Sequence, residues 1–220
     1  MITRLVKARK YLETILSPMV CLGMVVIMGK EGAQTEPKEQ PKPMICLVSV
    51  GKDASAVFPE LRQEIKETYG YEVTARVEVP LPEIAYDQKR NQYLAVPILN
   101  RIGQRVPDED CLKVLGIADV DLFTNDLHYI FGKAEGIPGR VAVISLLRLR
   151  PEFYQKPPDQ KLFLDRVVKE AVHELGHLFG LKHCENPECV MFFSKSIADT
   201  DKKGKKLCSS CSKQINTGQE

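Results

Sequence analysis

The chain has 220 residues, of which 44% are hydrophobic and 27% are charged, values typical of a globular protein with one sizeable core. The net charge of +2 gives no reason to expect nucleic acid or an acidic macromolecule as a partner. The Lys-rich run 201–206 is interpreted as a solvated loop rather than a binding patch. An odd number of cysteines, seven, argues against a framework of disulfides, and Cys46 and Cys111 are interpreted as buried thiols.

The first part of the chain differs in composition from the rest. Basic residues between positions 4 and 10 precede an apolar run at 15–28 and a polar, proline-rich spacer at 29–43. This order resembles a signal peptide or a signal anchor, although the run is shorter than the roughly 20 residues of a transmembrane helix. The alternative is a cytoplasmic protein with an additional or misassigned N-terminus. Localisation stays open, membrane contact is expected only through residues 1–28, and the folded domain is expected to begin at Met44.

From Met44 onward, the sequence predicts an α/β pattern. Short apolar or alternating runs predict strands, and longer runs with one apolar face predict helices. The predicted order is strand 45–50, helix 56–70 ended by Gly70, strand 71–79, a connection or lid over 80–93, helix 92–104 and strand 114–122. Two further strands are expected at 127–131 and 140–149, separated by a loop rich in glycine and proline.

A long helix is predicted over about 159–180. Asp159 follows two prolines and is a suitable N-cap, and an apolar stripe continues as far as Gly180. The remaining residues show no strong periodicity and are rich in cysteine and lysine. They must therefore be held by something other than a large hydrophobic core.

His173, Glu174 and His177 form an H-E-x-x-H sequence on this helix. Four residues rotate a helix by about 400°, so the two imidazoles share one face about 6 Å apart along the axis. Two neutral imidazoles at this spacing suit Zn²⁺, and the carboxylate beside them is placed to take a proton from a zinc-activated water. The short pattern alone is also compatible with a surface helix that carries two unrelated histidines.

His183 lies six residues beyond His177, too far along a continuous helix to reach the same ion. Gly180 can end the helix in the left-handed conformation and turn the chain, so that His183 becomes a third ligand. Three histidines leave a fourth position for water, which is the arrangement of a catalytic zinc. Met191, eight residues further on, is expected to form an apolar floor below the imidazoles.

Cys184 follows the third histidine directly and could be a fourth ligand of the same ion. That would leave Glu174 without a water, and neighbouring residues of an extended segment point to opposite sides. With Cys189, Cys208 and Cys211, it instead matches a closed, tetrahedral, structural zinc site. Two disulfides or a redox C-x-x-C pair are the alternatives, but a redox pair usually lies at the start of a helix, which this tail does not show. A second zinc would also explain how a tail with few core residues folds.

Together these motifs resemble the archaemetzincins, a family in the metzincin clan of zinc peptidases. The extended histidine motif is followed at once by cysteine, then by Cys-x-Met and a C-x-x-C pair, and the resemblance covers residues 44–220. It implies an α+β fold, in which a twisted mixed sheet with an antiparallel edge strand lies above an active-site helix. It also implies a small zinc-stabilised C-terminal subdomain over 184–211. The edge strand, expected within 140–149, would pair with an extended peptide.

The resemblance also implies the chemistry. The three histidines would bind a catalytic zinc and the four cysteines a structural zinc, two ions per chain, and Glu174 would be the general base in peptide hydrolysis. It favours aminopeptidase action on short peptides, and we expect a monomer. The alternatives are a non-catalytic, zinc-stabilised module that binds a peptide or a partner protein, and a zinc hydrolase with another kind of substrate. His128 is assigned no role.

Overall fold

The computed structural model describes residues 42–76, 78–107 and 111–216, which all lie in one compact unit, Pro41–Glu220. The segment predicted to be a signal, an anchor or an extension lies outside these residues, apart from its last two positions. Within the described ranges, no helix combines the length and the apolar character needed to cross a membrane.

Strands and helices both occur along the chain, as the predicted α/β pattern requires. The strands are β1 (Met44–Val50), β2 (Glu72–Ala75), β3 (Tyr86–Asp87), β4 (Gln92–Leu94), β5 (Lys113–Ala118), β6 (Leu122–Phe123), β7 (Gly132–Ala134) and β8 (Val141–Ser145). The helices are α1 (Phe58–Tyr69), α2 (Ala95–Arg105), α3 (Gln160–Leu178), α4 (Ile197–Lys202) and α5 (Ser209–Asn216). Gly70 ends α1 in the left-handed conformation, with a φ of +75°, as its place in the sequence predicts.

Five strands form the main sheet in the order β2-β1-β5-β8-β7. The first four run parallel, and β7 runs antiparallel to β8 at the edge. The central strands β1, β5 and β8 are buried on both faces, which is why each reads as a nearly continuous apolar run. The expected mixed sheet with an antiparallel edge strand is confirmed.

Helices cover both faces of this sheet. Ile45 and Leu47 point to the face covered by α1 and α3, whereas Cys46 and Val48 point to the face covered by α2. Asp159 caps α3, because its carboxylate accepts a hydrogen bond from the N–H of Leu162. Helix α3 contacts α1, α4 and the sheet, and every residue in its second half is buried. The helix that carries the H-E-x-x-H sequence is therefore held rigidly from several sides.

The position of the edge strand was predicted wrongly. The run 140–149 forms β8 only as far as Ser145 and then continues in a 3₁₀ turn, Leu147–Leu149. Strand β8 pairs with β5 on one side and β7 on the other, so it is an interior strand and cannot receive a peptide. The antiparallel edge strand is instead β7. It directly follows the run 127–131, which was predicted to be a strand. In that run, only Ile130 makes a bridge to another strand.

A second, small sheet occupies the segment that was expected to be a connection or lid. Residues 80–93 contribute β3 and most of β4, and the strand order is β3-β4-β6. The predicted strands 71–79 and 114–122 are both shorter than expected, and the second is divided, with its last part in β6. Period-2 alternation in the sequence does not show where a strand leaves one sheet for another.

Cys46 and Cys111 form a disulfide, so the interpretation of both as thiols is wrong. Cys46 lies on β1, and Cys111 lies just before β5 on the face covered by α2. Because β1 and β5 pair in parallel, the two Cα atoms lie 5.8 Å apart, within the range of a disulfide. The two cysteines are separated by 65 residues in the sequence, and the strand pairing brings them together.

The tail contains two helices, α4 and α5, although its sequence shows no strong periodicity. Both are short, so an apolar face has too few turns to be visible in the sequence. The Lys-rich run 201–206 is solvated only in part, because Lys203 is 2% exposed and forms an ion pair with Glu170 of α3. The interpretation of the whole run as a solvated loop is therefore wrong.

Candidate active site

The three histidines of the extended motif meet at the C-terminal end of α3. Their ring nitrogens that could bind a metal all lie within 4.8 Å of one another, and the Nε2 atoms of His173 and His177 are 3.1 Å apart. Gly180 has a φ of +94°, a conformation that favours glycine, and it turns the chain so that His183 returns to the other two. The sequence predicted this turn, and the resulting group could hold a metal ion.

Backbone carbonyls orient two of the imidazoles. His173 donates through Nδ1 to the carbonyl of Val190 (2.8 Å), and His177 donates through Nδ1 to the carbonyl of Leu181 (2.7 Å). These bonds place the proton on Nδ1 and leave a lone pair on Nε2. Burial lowers the pKa of all three histidines, so the imidazoles are neutral near pH 7.

Glu174 projects from α3 towards β7 and is 5% exposed. It packs against Gly132, where a Cβ atom would come within 2.6 Å of Glu174 Oε1, and the N–H of Ala134 donates to its carboxylate. Burial, and next the charge of Glu170, raise the pKa of Glu174 to about 8, against the opposing effect of nearby lysines. A carboxylate with this affinity for protons is suited to proton transfer near neutral pH.

Met191 is fully buried beside Gly176, the residue before His177. A Cβ atom at Gly176 would collide with the sulfur of Met191, so the glycine permits this close approach. The carbonyl of Met191 accepts a hydrogen bond from the N–H of Cys184 (3.0 Å). The methionine thus lies under the turn of α3 that carries both histidines, where the sequence places an apolar floor.

The four cysteines of the tail form a second group that could hold a metal, with sulfur atoms that all lie within 4.8 Å of one another. Cys208 directly precedes α5, so the tail has the helix start that the sequence did not reveal. The N–H of Cys211 donates to Cys208 and lowers the pKa of that thiol to about 7, whereas burial raises the pKa of Cys189 and Cys211. Cys184 Sγ lies only 3.9 Å from Cys208 Sγ, so a cluster of four describes the site better than a redox pair.

A cleft of about 670 Å³ opens beside the histidines. The segment 124–137, which includes β7, forms one wall and the segment 193–195 forms another, and Lys203 also lines the cleft. The hydroxyl of Tyr129 donates to the carbonyl of Lys195 (3.1 Å) and so joins the two walls. The guanidinium of Arg148 stacks on the Tyr129 ring at 4.1 Å and holds it in place.

Two cleft residues, Glu170 and Lys203, were missed by the sequence analysis. They form an ion pair of 3.0 Å between Nζ and Oε1. Glu170 lies one turn before Glu174 on α3, and this spacing was a usable signal because both carboxylates must share a face. Lys203 gives no such signal, since lysines are almost never fully buried unless paired. His128, which was assigned no role, is exposed at the rim of the cleft.

The fold and the site together define the class of this protein. A mixed sheet packs on a helix with an H-E-x-x-H sequence, and three histidines converge beside a buried glutamate. This is a zinc metallopeptidase of the metzincin type. The model of Peptidase family M54 matches residues 73–217. Relatives named archaemetzincin are 44% identical in Pyrococcus furiosus (78% of this chain, 92% of that protein) and 43% identical in Pyrococcus abyssi (78% and 94%). The chain belongs to this family, the archaemetzincins.

Solved structures agree with this assignment. The crystal structure of archaemetzincin from Methanopyrus kandleri matches with a TM-score of 0.72 and 34% identity, over 83% of this chain and 99% of that one. A zinc-dependent peptidase from Methanocorpusculum labreanum matches with a TM-score of 0.70 and 30% identity, over 78% and 100%. The resemblance seen in the motifs is confirmed, and membership of the family makes the chain an enzyme rather than a non-catalytic module.

Proposed function

We propose that the chain is an aminopeptidase for short peptides, with a catalytic zinc on His173, His177 and His183. The proposal is carried by the convergence of three neutral imidazoles whose ligand atoms lie within 4.8 Å. The Nδ1 hydrogen bonds to backbone carbonyls support it, because they direct the Nε2 lone pairs to a common point. A zinc ion bound there would act as a Lewis acid and lower the pKa of a water molecule.

In this proposal, Glu174 is the general base. It takes a proton from the attacking water and returns that proton to the leaving amine. Its burial, its raised pKa and its contact with Gly132 of the edge strand support this role, since they hold a proton-accepting carboxylate beside the peptide site. The hydrogen bond from Ala134 keeps the carboxylate in one orientation.

A second zinc on Cys184, Cys189, Cys208 and Cys211 would be structural. Four thiolates fill a tetrahedral site and leave no position for water. The cluster joins the loop after His183 to α5 and encloses the segment that carries Met191. We propose that this ion fixes the floor of the active site and supplies stability that the tail lacks.

The shape of the cleft supports short substrates. The outer edge of β7 lines the cleft, where an extended peptide could add as a further strand. The hydrogen bond between Tyr129 and Lys195 joins the two walls and so limits how far a peptide can extend past that point. Aminopeptidase action is the narrower part of the proposal, and it follows the family resemblance.

The test is hydrolysis of a mixed library of short and longer peptides by the zinc-loaded protein, read by mass spectrometry, with and without a chelator. Glu174→Gln should retain its zinc and lose about 10²–10⁴-fold in rate, the usual contribution of a general base. Glu60→Gln, an exposed change on α1, is the matched control and should retain the wild-type rate. Wild-type turnover by Glu174→Gln would refute the role of the glutamate, and cleavage only within longer peptides would refute aminopeptidase action.

A further inference from the structure

Lys203 is a buried cation in the cleft wall that the proposed mechanism does not use. It directly follows α4, which is docked on α3 because the guanidinium of Arg166 binds the carboxylate of Asp201 at 2.6 and 2.8 Å. The N–H of Lys203 donates to the carbonyl of Asp199 (3.0 Å). The fold therefore buries this side chain almost completely, although Lys203 also lines the substrate cleft.

The ammonium group of Lys203 is incompletely satisfied. It carries three donors, but within the described part of the chain its charged partner is Glu170 Oε1 at 3.0 Å, and this contact lacks the geometry of a hydrogen bond. The same carboxylate oxygen also accepts a hydrogen bond from Thr200 (3.4 Å). Buried donors without acceptors are costly, so a group that enters the cleft with acceptors would be stabilised here.

Ser194 provides a second and independent observation. Its Oγ atom is buried and makes no hydrogen bond to any described residue, and Ser194 lines the same cleft as Lys203. A hydroxyl can donate one hydrogen bond to an oxygen acceptor. The lining of the cleft thus contains two kinds of unused donor, an ammonium and a hydroxyl.

Charges of both signs line the cleft: the lysines Lys133, Lys195 and Lys203, and the acidic residues Asp126, Glu135, Glu170 and Glu174. Glu170 is paired with Lys203. Glu135 is already occupied, because its Oε1 accepts from the N–H groups of Arg140 (2.7 Å) and Val141 (3.0 Å). A carboxylate offers two oxygen acceptors and makes the stronger, charge-assisted hydrogen bonds with an ammonium.

We propose that Lys203 Nζ and Ser194 Oγ form a subsite for a carboxylate of the peptide substrate. This inference rests on the proposed function, because it names the substrate class of the same cleft. The carboxylate has two sources, an acidic side chain next to the scissile bond or the free α-carboxylate of a short peptide. Both present the same oxygens, and no bond is made or broken at the subsite, which determines specificity only.

Matched tripeptides separate the two sources. The pair Ala-Ala-Ala acid and amide reports the α-carboxylate, and the pair Ala-Glu-Ala amide and Ala-Gln-Ala amide reports the side chain. The zinc-loaded wild-type protein should prefer the member with the carboxylate in at least one pair by about 10–100-fold in kcat/KM, the range of a hydrogen bond to a charged group. Equal rates within both pairs would overturn the subsite and leave the proposed function intact.

Three variants assign the preference to the subsite. Lys203→Met/Glu170→Gln removes both charges together, so that no carboxylate is left buried without a partner. In this double variant, the kcat/KM ratio between the two members of the preferred peptide pair should fall close to one. Ser194→Ala should lower the ratio less, in the same direction. Lys202→Met, a neighbouring exposed lysine, should keep the wild-type ratio. A double variant that retains the full ratio would contradict the role of Lys203.

A binding measurement keeps the subsite testable without turnover. Calorimetry on the zinc-loaded Glu174→Gln protein compares acetyl-glutamate amide with acetyl-glutamine amide, and acetyl-alanine acid with its amide. Tighter binding of a carboxylate that is lost when Lys203→Met/Glu170→Gln is added supports the subsite. Tighter binding that the added changes leave intact would place the carboxylate on the zinc instead and overturn the proposal. Failure of the proposed function would appear separately, as an absence of hydrolysis of every peptide.

Discussion

The two groups of side chains that could hold a metal are adjacent in the sequence but differ in construction. Two of the histidines stand on α3, a helix packed on several sides, and one face of the group opens into the cleft. The cysteines join a loop to the start of a short helix, and their sulfur atoms all lie within 4.8 Å of one another. Ligands on a rigid element that leave one side open are suited to a catalytic metal site, because substrate or water can reach the ion. Ligands that enclose an ion are suited to a structural site, because they stabilise the fold.

The dependence between the two regions runs mainly in one direction. The carbonyl of Val190, which orients His173, belongs to the tail segment between Cys189 and Met191. The N–H of Val190 in turn donates to the carbonyl of Lys206 (3.0 Å), which lies two residues before Cys208 in the sequence. Loss of the cysteine site should therefore disturb the histidine site, whereas loss of the histidine site should leave the cysteine site folded.

The largest effect is expected from Cys208→Ser/Cys211→Ser. Structural zinc contributes on the order of 10 kcal/mol in small zinc domains, so the tail should become sensitive to proteolysis. Zinc content should fall from two ions to one, and the remaining histidine site should bind zinc about 10–100-fold more weakly, because a partner that orients His173 is lost. Metal analysis and limited proteolysis measure these changes. Ser209→Ala/Ser210→Ala, between the two cysteines, is the control and should behave as wild type.

The next largest effect is expected from Gly132→Ala. The added Cβ would lie 2.6 Å from Glu174 Oε1, so the carboxylate must move, and a shift of about 1 Å can cost about 10²-fold in rate. Zinc content should not change, because the three atoms nearest to the added Cβ all belong to Glu174. Gly103→Ala on α2 meets only Val141 Cγ2 at 3.8 Å and should keep full activity. An active Gly132→Ala protein would argue against the placement of Glu174 as base.

A chemical difference between the sites should appear in the protons released when zinc binds. Burial raises the pKa of Cys189 and Cys211, so both thiols carry protons at pH 7 and must release them to the solvent. Burial lowers the pKa of the histidines, so the imidazoles are already neutral at that pH, and protons at this site would come from a zinc-activated water and Glu174 instead. The affinity of the cysteine site should therefore fall more steeply than that of the histidine site as the pH falls from 8 to 7.

Calorimetry in two buffers of different ionisation enthalpy measures this release. Cys208→Ser/Cys211→Ser isolates the histidine site, and His183→Ala weakens it so that the cysteine site is seen alone. Equal proton release at the two sites would contradict the assignment of neutral imidazoles to one site and buried thiols to the other.

The smallest effect is expected from Gly180→Ala. A φ of +94° is unfavourable for alanine by about 1–2 kcal/mol, and relief of that strain would move His183. Gly70→Ala is the matched control, since Gly70 has a φ of +75° and nothing within 4 Å of an added Cβ. Both variants should lose about 1 kcal/mol of unfolding free energy in a denaturant titration. Only Gly180→Ala should also weaken zinc binding at the histidine site, as measured by competition with a chelator.

Much of the site could be predicted from the sequence because its determinants are local. The cap at Asp159, the spacing of His173 and His177, and the turn at Gly180 each depend on residues a few positions apart. The convergence of the four cysteines was also visible, because thiolates in two close pairs have few other uses in this arrangement.

What the sequence did not show depends on distant parts of the chain. Lys203 is buried because Glu170 faces it from α3, and nothing in a run of lysines indicates which one has such a partner. The disulfide between Cys46 and Cys111 requires the pairing of β1 with β5. The edge role of β7 requires knowledge of the strand order, because β7 is too short to stand out as a strand in the sequence.

Stepwise removal of zinc from the loaded protein with a chelator tests most directly whether the histidine site is catalytic and the cysteine site is structural. Peptide hydrolysis and the resistance of the tail to proteolysis are followed at each step. Hydrolysis should disappear first, because the histidine site is open on one side, and the tail should stay resistant until the second ion leaves the closed cysteine site. Loss of both properties in a single step, or loss of resistance while hydrolysis continues, would contradict the account.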